Sequence, residues 1–424
     1  MAKIFGLADC NNFFVSCERA FRPDLARRPV VVLSNNDGCV ISRSQEVKAL
    51  GIPMGAPRFK IENEIRNHSI AVFSSNFALY GNMSNRVMRT LAMFCPDIEQ
   101  YSIDEAFFNA GTVPVIRDHL TEAGRQIRAY ILKTTGIPVS IGFAPSKTLA
   151  KMANYYVKKH PDTGGVLDLT SRKLQQEILY RCPLEDVWGI GRQLSVKLAQ
   201  LNIRTPAELA AADFGFIGRR LGVNVQKTVM ELNGISCYEF SEDPAPRKSI
   251  MHSATMSSPS TIFNDVSEAV CSHVAIAAES MRREGQRASC LTLFFRTGAY
   301  QTDGQFYAAN GTRAFDSPVN DTRVLTAAAL DLLKQYWHQG SRISKIGVIL
   351  SQFTADSQAQ LSLFSDPQKD ERSARLMEVM DRINSRTRNG VFFLGQGLKD
   401  SWRGSRQRCS PRYTTSWDEV IRVK

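Results

Sequence analysis

At 424 residues, 43% hydrophobic and 22% charged, the chain has the make-up of a globular protein of two to four compact units, not of a disordered or fibrous one. Its 53 Lys and Arg against 41 Asp and Glu give a net charge of +12, which favours a polyanionic partner, nucleic acid being the commonest. Nine scattered cysteines form no C-x-x-C pair, six histidines form no H-E-x-x-H, and no apolar run reaches membrane-spanning length; a zinc module, a disulfide framework and a membrane partner are set aside, and a cytoplasmic protein with reduced thiols is expected.

In chain order, Ile4 to Ala8 reads as a short buried strand ending at Asp9, and Pro29 to Leu33 as a β-branched run closed by the turn residues Ser34-Asn35-Asn36-Asp37-Gly38. Ser42-Arg43-Ser44-Gln45 fits a capping box with Ser42 as N-cap, which predicts a helix stopping at Gly51. Two strands are predicted within Ile98 to Asn109, flanking a tight turn at Ser102-Ile103-Asp104-Glu105. A further helix begins after Ser146 and runs to about Lys159. From about residue 170 the pattern turns helical and basic. Gly189-Ile190-Gly191 precedes an amphipathic segment with Leu194, Leu198 and Leu201 on one face, and Thr205-Pro206 opens the next helix. Ser236 to Ser249 reads as an exposed linker. Val266 to Arg283 is helix-like, Ser289 to Phe295 and Ile343 to Leu350 strand-like, together an α+β unit ending near residue 355. The remainder from residue 365 carries 13 basic and 8 acidic residues.

Acidic doublets occur at five places, so a doublet alone carries no meaning. Asp104-Glu105 differs from most in lying in a hairpin flanked by Tyr101, Ile103, Ala106, Phe107 and Phe108, where carboxylates need a cation to offset desolvation. With Asp9 at a strand end, these acids are candidates to hold two divalent cations, about 3.5–4 Å apart in such sites. Lys147, Lys151 and Lys158 share one stripe of the helix after Ser146. Such a stripe is commonly a solvated face, but here it follows the acidic hairpin. Gly189 and Gly191, with Arg192 and Lys197 after them, let backbone approach a phosphate as a helix-hairpin-helix does; an ordinary interhelical turn looks the same.

These residues make the chain recognisable. Asp9-Cys10-Asn11-Asn12-Phe13-Phe14, Tyr101-Ser102-Ile103-Asp104-Glu105-Ala106-Phe107 and Ser146-Lys147-Thr148-Leu149-Ala150-Lys151 resemble Y-family DNA polymerase motifs, in order and at that family's spacing. Ser34 to Ile41, Asp186 to Gly191 and Ser410-Pro411-Arg412-Tyr413-Thr414-Thr415 are similar to one bacterial branch of it. The resemblance implies an α+β multidomain right hand. Its parts are a ferredoxin-like palm at 1–12 and 79–168, small fingers at 13–78 and a helix-hairpin-helix thumb at 169–235. A linker at 236–249 leads to an α+β little finger at 250–355, and a clamp-binding motif and partner-binding tail fill 356–424. It implies an error-prone translesion polymerase of the SOS response, acting on primer-template DNA and deoxynucleoside triphosphates. Asp9, Asp104 and Glu105, with the Cys10 carbonyl, would bind two Mg²⁺ ions. Phe13, Phe14, Ser42, Lys48 and Lys158 would meet the nucleotide, Phe14 as the steric gate where many relatives carry Tyr. Lys48 stands where some relatives have Arg, and Gln45 where some have Tyr, which removes a bidentate phosphate grip at the first and stacking at the second. Small fingers enclose the nascent pair loosely, so damaged templates pass and fidelity is low. Gln360-Leu361-Ser362-Leu363-Phe364 resembles a sliding-clamp peptide, with Gln360, Leu361, Leu363 and Phe364 as its anchors. A strand end tucked into the little finger is the alternative. The basic tail resembles a region that engages a processed UmuD dimer and RecA. Two other classes fit parts of the pattern: a non-catalytic clamp-tethered DNA-binding scaffold, which leaves the acidic trio without a use, and a palm-type nucleotide cyclase, which leaves the Gly-Ile-Gly turn without one.

Overall fold

Phe5–Cys10 forms β1, buried along its whole length because both faces of its sheet are covered. The computed structural model describes residues 3–240, 246–298, 306–358, 367–386, 402 and 406–420. The chain divides into two units, Met1–Ser34 with Gly38–Pro244 and Arg408–Lys424, and Asn35–Asp37 with Ala245–Gln407.

In the first unit β1 is followed by α1 (Phe13–Phe21), β2 (Val30–Leu33), β3 (Val40–Arg43), α2 (Gln45–Ala49), α3 (Glu62–Asn67) and β4 (Ala71–Ser74). Next come α4 (Phe77–Ala92), β5 (Ile98–Gln100), β6 (Glu105–Asn109), α5 (Pro114–Asp118), α6 (Leu120–Thr135), β7 (Val139–Ala144), α7 (Lys147–Lys159) and β8 (Val166–Asp168). Five helices complete the run: α8 (Arg172–Arg181), α9 (Arg192–Ala199), α10 (Pro206–Ala211), α11 (Phe214–Leu221) and α12 (Val223–Leu232). The main sheet has the order β5-β6-β1-β7-β8, with β1 antiparallel to both neighbours. Period-two alternation sorts its side chains. Ala8, Ala106 and Phe108 join the core under α4 and α6, while Phe5, Leu7 and Phe107 join the core shared with α7 and the helices after it. A separate sheet, β3-β2-β4, covers its own small core of Val31, Leu33, Val47, Ile52 and Ile65.

Two readings need correction. Ser42 is not a helix cap: the β-branched run Val40-Ile41 continues as strand, and Ser42 pairs with Val32 in β3. The helix begins two residues later with Ser44 as N-cap. The Ser44 hydroxyl is turned to accept the Val30 amide, so no capping box forms. Gly51 does follow the helix with φ of 77°, its amide bonded to the Lys48 carbonyl. Nor is Ser236–Phe240 an exposed linker. Phe240 stacks on Phe5 at 4.9 Å, and the Cys237 amide donates to Glu231 Oε1 at 2.6 Å. By contrast Thr205 makes the full capping box with Glu208 that Thr-Pro-Ala-Glu spells out.

The second unit holds β9 (Ser249–Ser260), α13 (Phe263–Arg283), β10 (Gln286–Thr297), β11 (Ala308–Val319), α14 (Thr322–Tyr336), β12 (Ile343–Ala355) and α15 (Pro367–Arg386). Its antiparallel sheet runs β11-β10-β12-β9, and α13 and α14 supply the apolar layer against it. Met377 of α15 is buried there, and Asp381 takes a two-point ion pair from Arg282. Among the described residues no helix is long and apolar enough to cross a membrane.

Candidate active site

The alternation that sorts the sheet also builds the site. Asp9 falls in phase with Phe5 and Leu7, and Glu105 with Phe107, so both carboxylates face α7. They occupy directly opposed register positions of β1 and β6. From α7, Lys158 reaches Asp9 at 2.5 Å and Lys151 reaches Glu105 at 2.9 Å. One turn toward the start of the helix, Lys147 is buried and donates to both oxygens of Glu99. The lysine stripe is therefore turned onto a row of acids along the sheet, with Lys158 at its end still partly open to solvent. Burial pushes the Asp9 carboxyl up to about 7; Lys158 pulls it down, and Glu105 across the ladder pushes it back up.

Asp104 sits in the turn before β6. Its carbonyl receives the Cys10 amide at 2.8 Å, while its carboxylate accepts from the Ser102 hydroxyl at 2.7 Å. Burial, and then Asp9 and Asp104, push the Cys10 thiol well up, so that side chain stays neutral. Among the described residues no group of three His, Cys, Asp or Glu side chains is set to hold a metal ion as it stands. The donor chemistry nevertheless fits a hard divalent cation. The acids are oxygen donors, two of them oppose each other under desolvation, and each of these two already carries a cationic amine.

Next to Asp9 lies a cavity of about 470 Å³, lined by Lys48, Lys158, Gln45, Arg128, Asn12 and Ser140 among others. Partial burial, and then Arg43 and Lys158 nearby, hold the Lys48 amine below the usual lysine range. Asn12 adopts a left-handed conformation (φ 47°) that asparagine tolerates, and it turns the chain from β1 into α1. Phe13 is thereby buried in the core, while Phe14 is only half-buried. The Phe14 ring stacks on Tyr80 at 4.6 Å and meets Phe77 edge-on at 5.7 Å. Ser42 is buried in β3.

Gly189 takes φ of 91°, and Gly191 is the N-cap of α9. Arg192 and Lys197 are exposed beside it. Trp188, just before this turn, donates to the Tyr101 hydroxyl at 3.1 Å and lies edge-on to that ring, next to the Lys151 amine. Gln360, Leu361, Leu363 and Phe364 lie outside the described residues. Sequence reasoning missed Glu99, Tyr80, Phe77 and Arg128. The stripe of α7 does not reveal that its lysines meet Glu99, and the other three are distant in the chain and share no motif with the acids.

Residues 8–155 match the impB/mucB/samB family, and residues 247–363 match the C-terminal domain of that family. Residues 374–423 match a domain described as of unknown function. The protein UmuC of Salmonella typhimurium (strain LT2) is 42% identical over 99% of this chain and all of its own length. SamB of Salmonella typhimurium is 40% identical over the same shares. Among solved structures, a Y-family DNA polymerase chimera of Dbh and Dpo4 superposes with a TM-score of 0.66 at 21% identity, covering 83% of this chain and 99% of its own. That likeness shows the fold. The sequence matches show more: the chain belongs to the impB/mucB/samB family of Y-family DNA polymerases.

Proposed function

We propose that this chain is a DNA-directed DNA polymerase of the translesion type. In this reading it adds deoxynucleotides to a primer 3′ end opposite intact and damaged template bases, in the cytoplasm, as part of the SOS response. One observation carries the proposal: Asp9 and Glu105 meet on the α7 side of the main sheet, beside a cavity that bears Lys48 and Lys158. Paired acids next to a cationic pocket are what a metal-bound triphosphate requires. The family membership, and the fold shared with a Y-family DNA polymerase chimera, support the same reading.

Asp9, Asp104 and Glu105, with the Cys10 carbonyl, are the groups that would hold two Mg²⁺ ions. Such ions, when bound, favour ionisation of the primer hydroxyl and neutralise the triphosphate and its leaving group. The protein's part is positioning and charge. Lys158 can exchange Asp9 for a phosphate oxygen, Lys48 supplies a second positive charge, and the Ser42 hydroxyl adds a donor. Phe14, backed by Phe13, sits under the sugar, where an aromatic ring leaves no room for a 2′-hydroxyl. The proton of the primer hydroxyl passes to water or substrate. Residues 1–12 and 79–168 act as palm, 13–78 as fingers and 169–235 as thumb. Gly189, Gly191, Arg192 and Lys197 grip the DNA backbone without reading sequence. Residues 250–355 serve as little finger, Gln360 to Phe364 dock on the sliding clamp, and the tail engages processed UmuD and RecA.

The test is synthesis on a gapped template across an abasic site, with and without the clamp, UmuD and RecA. The full chain is expected to insert and extend, most strongly with all partners present, and Asp104→Ala to abolish both. Equal synthesis by Asp104→Ala would remove the enzymatic assignment.

A further inference from the structure

The segment from Arg408 to Val420 lies in the region whose family-model match is a domain of unknown function, and it packs against the helix that carries Phe14. On α1, Phe14, Glu18 and Phe21 stand at spacings of four and three, one stripe of the helix. Each has a partner that fixes it. Phe14 stacks on Tyr80. Glu18 Oε1 accepts the Tyr80 hydroxyl at 2.7 Å and the Ser410 hydroxyl at 3.0 Å. Phe21 stacks on Tyr413 at 4.8 Å. Ser410 is itself clamped by Asn76, whose amide nitrogen donates to the Ser410 carbonyl at 3.0 Å and to its hydroxyl at 3.1 Å. Asn76 is also the N-cap of α4, the helix from which Phe77 and Tyr80 project. A backbone bridge from Ser74 to Cys409 seats the same segment beside that cap.

Tyr80 is wholly buried, and its hydroxyl bond to Glu18 sets where its ring lies beneath Phe14. A gate that works by steric exclusion is sensitive to shifts of a fraction of an ångström, because repulsion rises steeply at contact. Ser410 touches both supports of that ring, Glu18 from one side and the α4 cap from the other.

We propose that the segment Arg408–Thr415 positions the Phe14 gate, with Ser410 acting through Glu18 and Tyr80, and thereby sets how strictly the site distinguishes deoxyribose from ribose. This rests on the reading of Phe14 as the sugar gate. Ser410 is a positioning residue: it touches neither nucleotide nor acid.

The experiment uses the full chain on primer-template DNA and reads one quantity two ways. Binding of non-hydrolysable deoxy- and ribonucleoside triphosphate analogues is followed by a fluorescent template base, and single-nucleotide incorporation gives the same preference kinetically. Phe14→Ala is expected to collapse the preference for the deoxy form. Ser410→Ala is expected to lower it roughly two- to tenfold, the factor one hydrogen bond is worth, and Ser410→Thr, which keeps the hydroxyl, to restore it. Should Ser410→Ala fail to fold, Tyr80→Phe keeps the ring, drops only the hydroxyl and is expected to give the same shift. A collapse with Phe14→Ala and no shift with Ser410→Ala or Tyr80→Phe would leave the segment a purely structural brace and overturn the proposal. No change with Phe14→Ala would overturn the gate reading itself, and the proposal with it.

Discussion

At the level of single residues the site is an exercise in balancing buried charge. Asp9 and Glu105 face each other across a ladder in a desolvated setting, and only the amines of Lys158 and Lys151 make their coexistence tolerable. Glu18 is the contrasting case. Burial raises its pKa, against the lowering effect of the Tyr80 and Ser410 hydroxyls, and its second oxygen has no hydrogen-bond partner among the described residues. A carboxyl whose folded pKa lies above its unfolded value stabilises fully below the unfolded pKa and loses that contribution as pH rises through the folded one. Glu18→Gln, uncharged at every pH, is therefore expected to gain melting temperature relative to the unaltered protein as pH is raised from 5 to 8. A melting-temperature difference that stays flat or falls over that range would contradict the assignment. The acids themselves were legible in the sequence, because apolar flanks around Asp104-Glu105 mark a desolvated hairpin. The partners of the lysines were not. Helical spacing tells which side chains share a face; it does not tell what that face meets.

Among elements, α7 is the one that matters most, since it brings Lys147, Lys151 and Lys158 to the sheet. It lies so close to β7 that a Cβ on Gly142 would stand 2.7 Å from the Ala150 carbonyl oxygen and 2.9 Å from the Asn154 amide nitrogen, both helix backbone. Backbone cannot swing aside as a side chain can, so the helix must move. Gly142→Ala is expected to cost about 1–3 kcal/mol in urea unfolding and to lower nucleotide incorporation well beyond the fraction unfolded, because the lysines shift with the helix. Unaltered incorporation per folded molecule would show that the α7 register is immaterial to the site. Local chemistry explains which elements could be read beforehand. Thr205, Pro206 and Glu208 form a complete local signal for a helix start, and the structure agrees. Ser42 and Gln45 fit the same capping pattern, yet strand pairing of Val40 to Arg43 with β2 overrides them. That competition is decided by partners far along the chain.

For the whole molecule, motif order along the chain disclosed the family and an α+β fold, whereas the return of residues 408–420 to the α1 and α4 helices had no local signature. Ser410-Pro411-Arg412-Tyr413 is recognisable as a motif; its seat against Asn76 and Glu18, more than 330 residues earlier, appears only when the chain is folded. Each phosphate neutralised by a Lys or Arg releases counterions, so DNA affinity carried by such contacts falls with salt. Replacing Arg192 and Lys197 together by Ala is expected to weaken primer-template binding at 100 mM salt and to reduce the slope of log affinity against log salt by about 1 for each charge removed. An unchanged slope would remove both from the DNA path. The account as a whole depends on the two-stranded acidic centre acting on a triphosphate. It is tested most directly by single-nucleotide incorporation on a primed template, comparing the unaltered chain with Asp9→Ala, Asp104→Ala and Glu105→Ala in folded form and with Mg²⁺ present. The expected result is addition of the templated deoxynucleotide by the unaltered chain and a loss of at least about 100-fold in each variant; incorporation that persists in all three variants, or that ignores the template base, would contradict it.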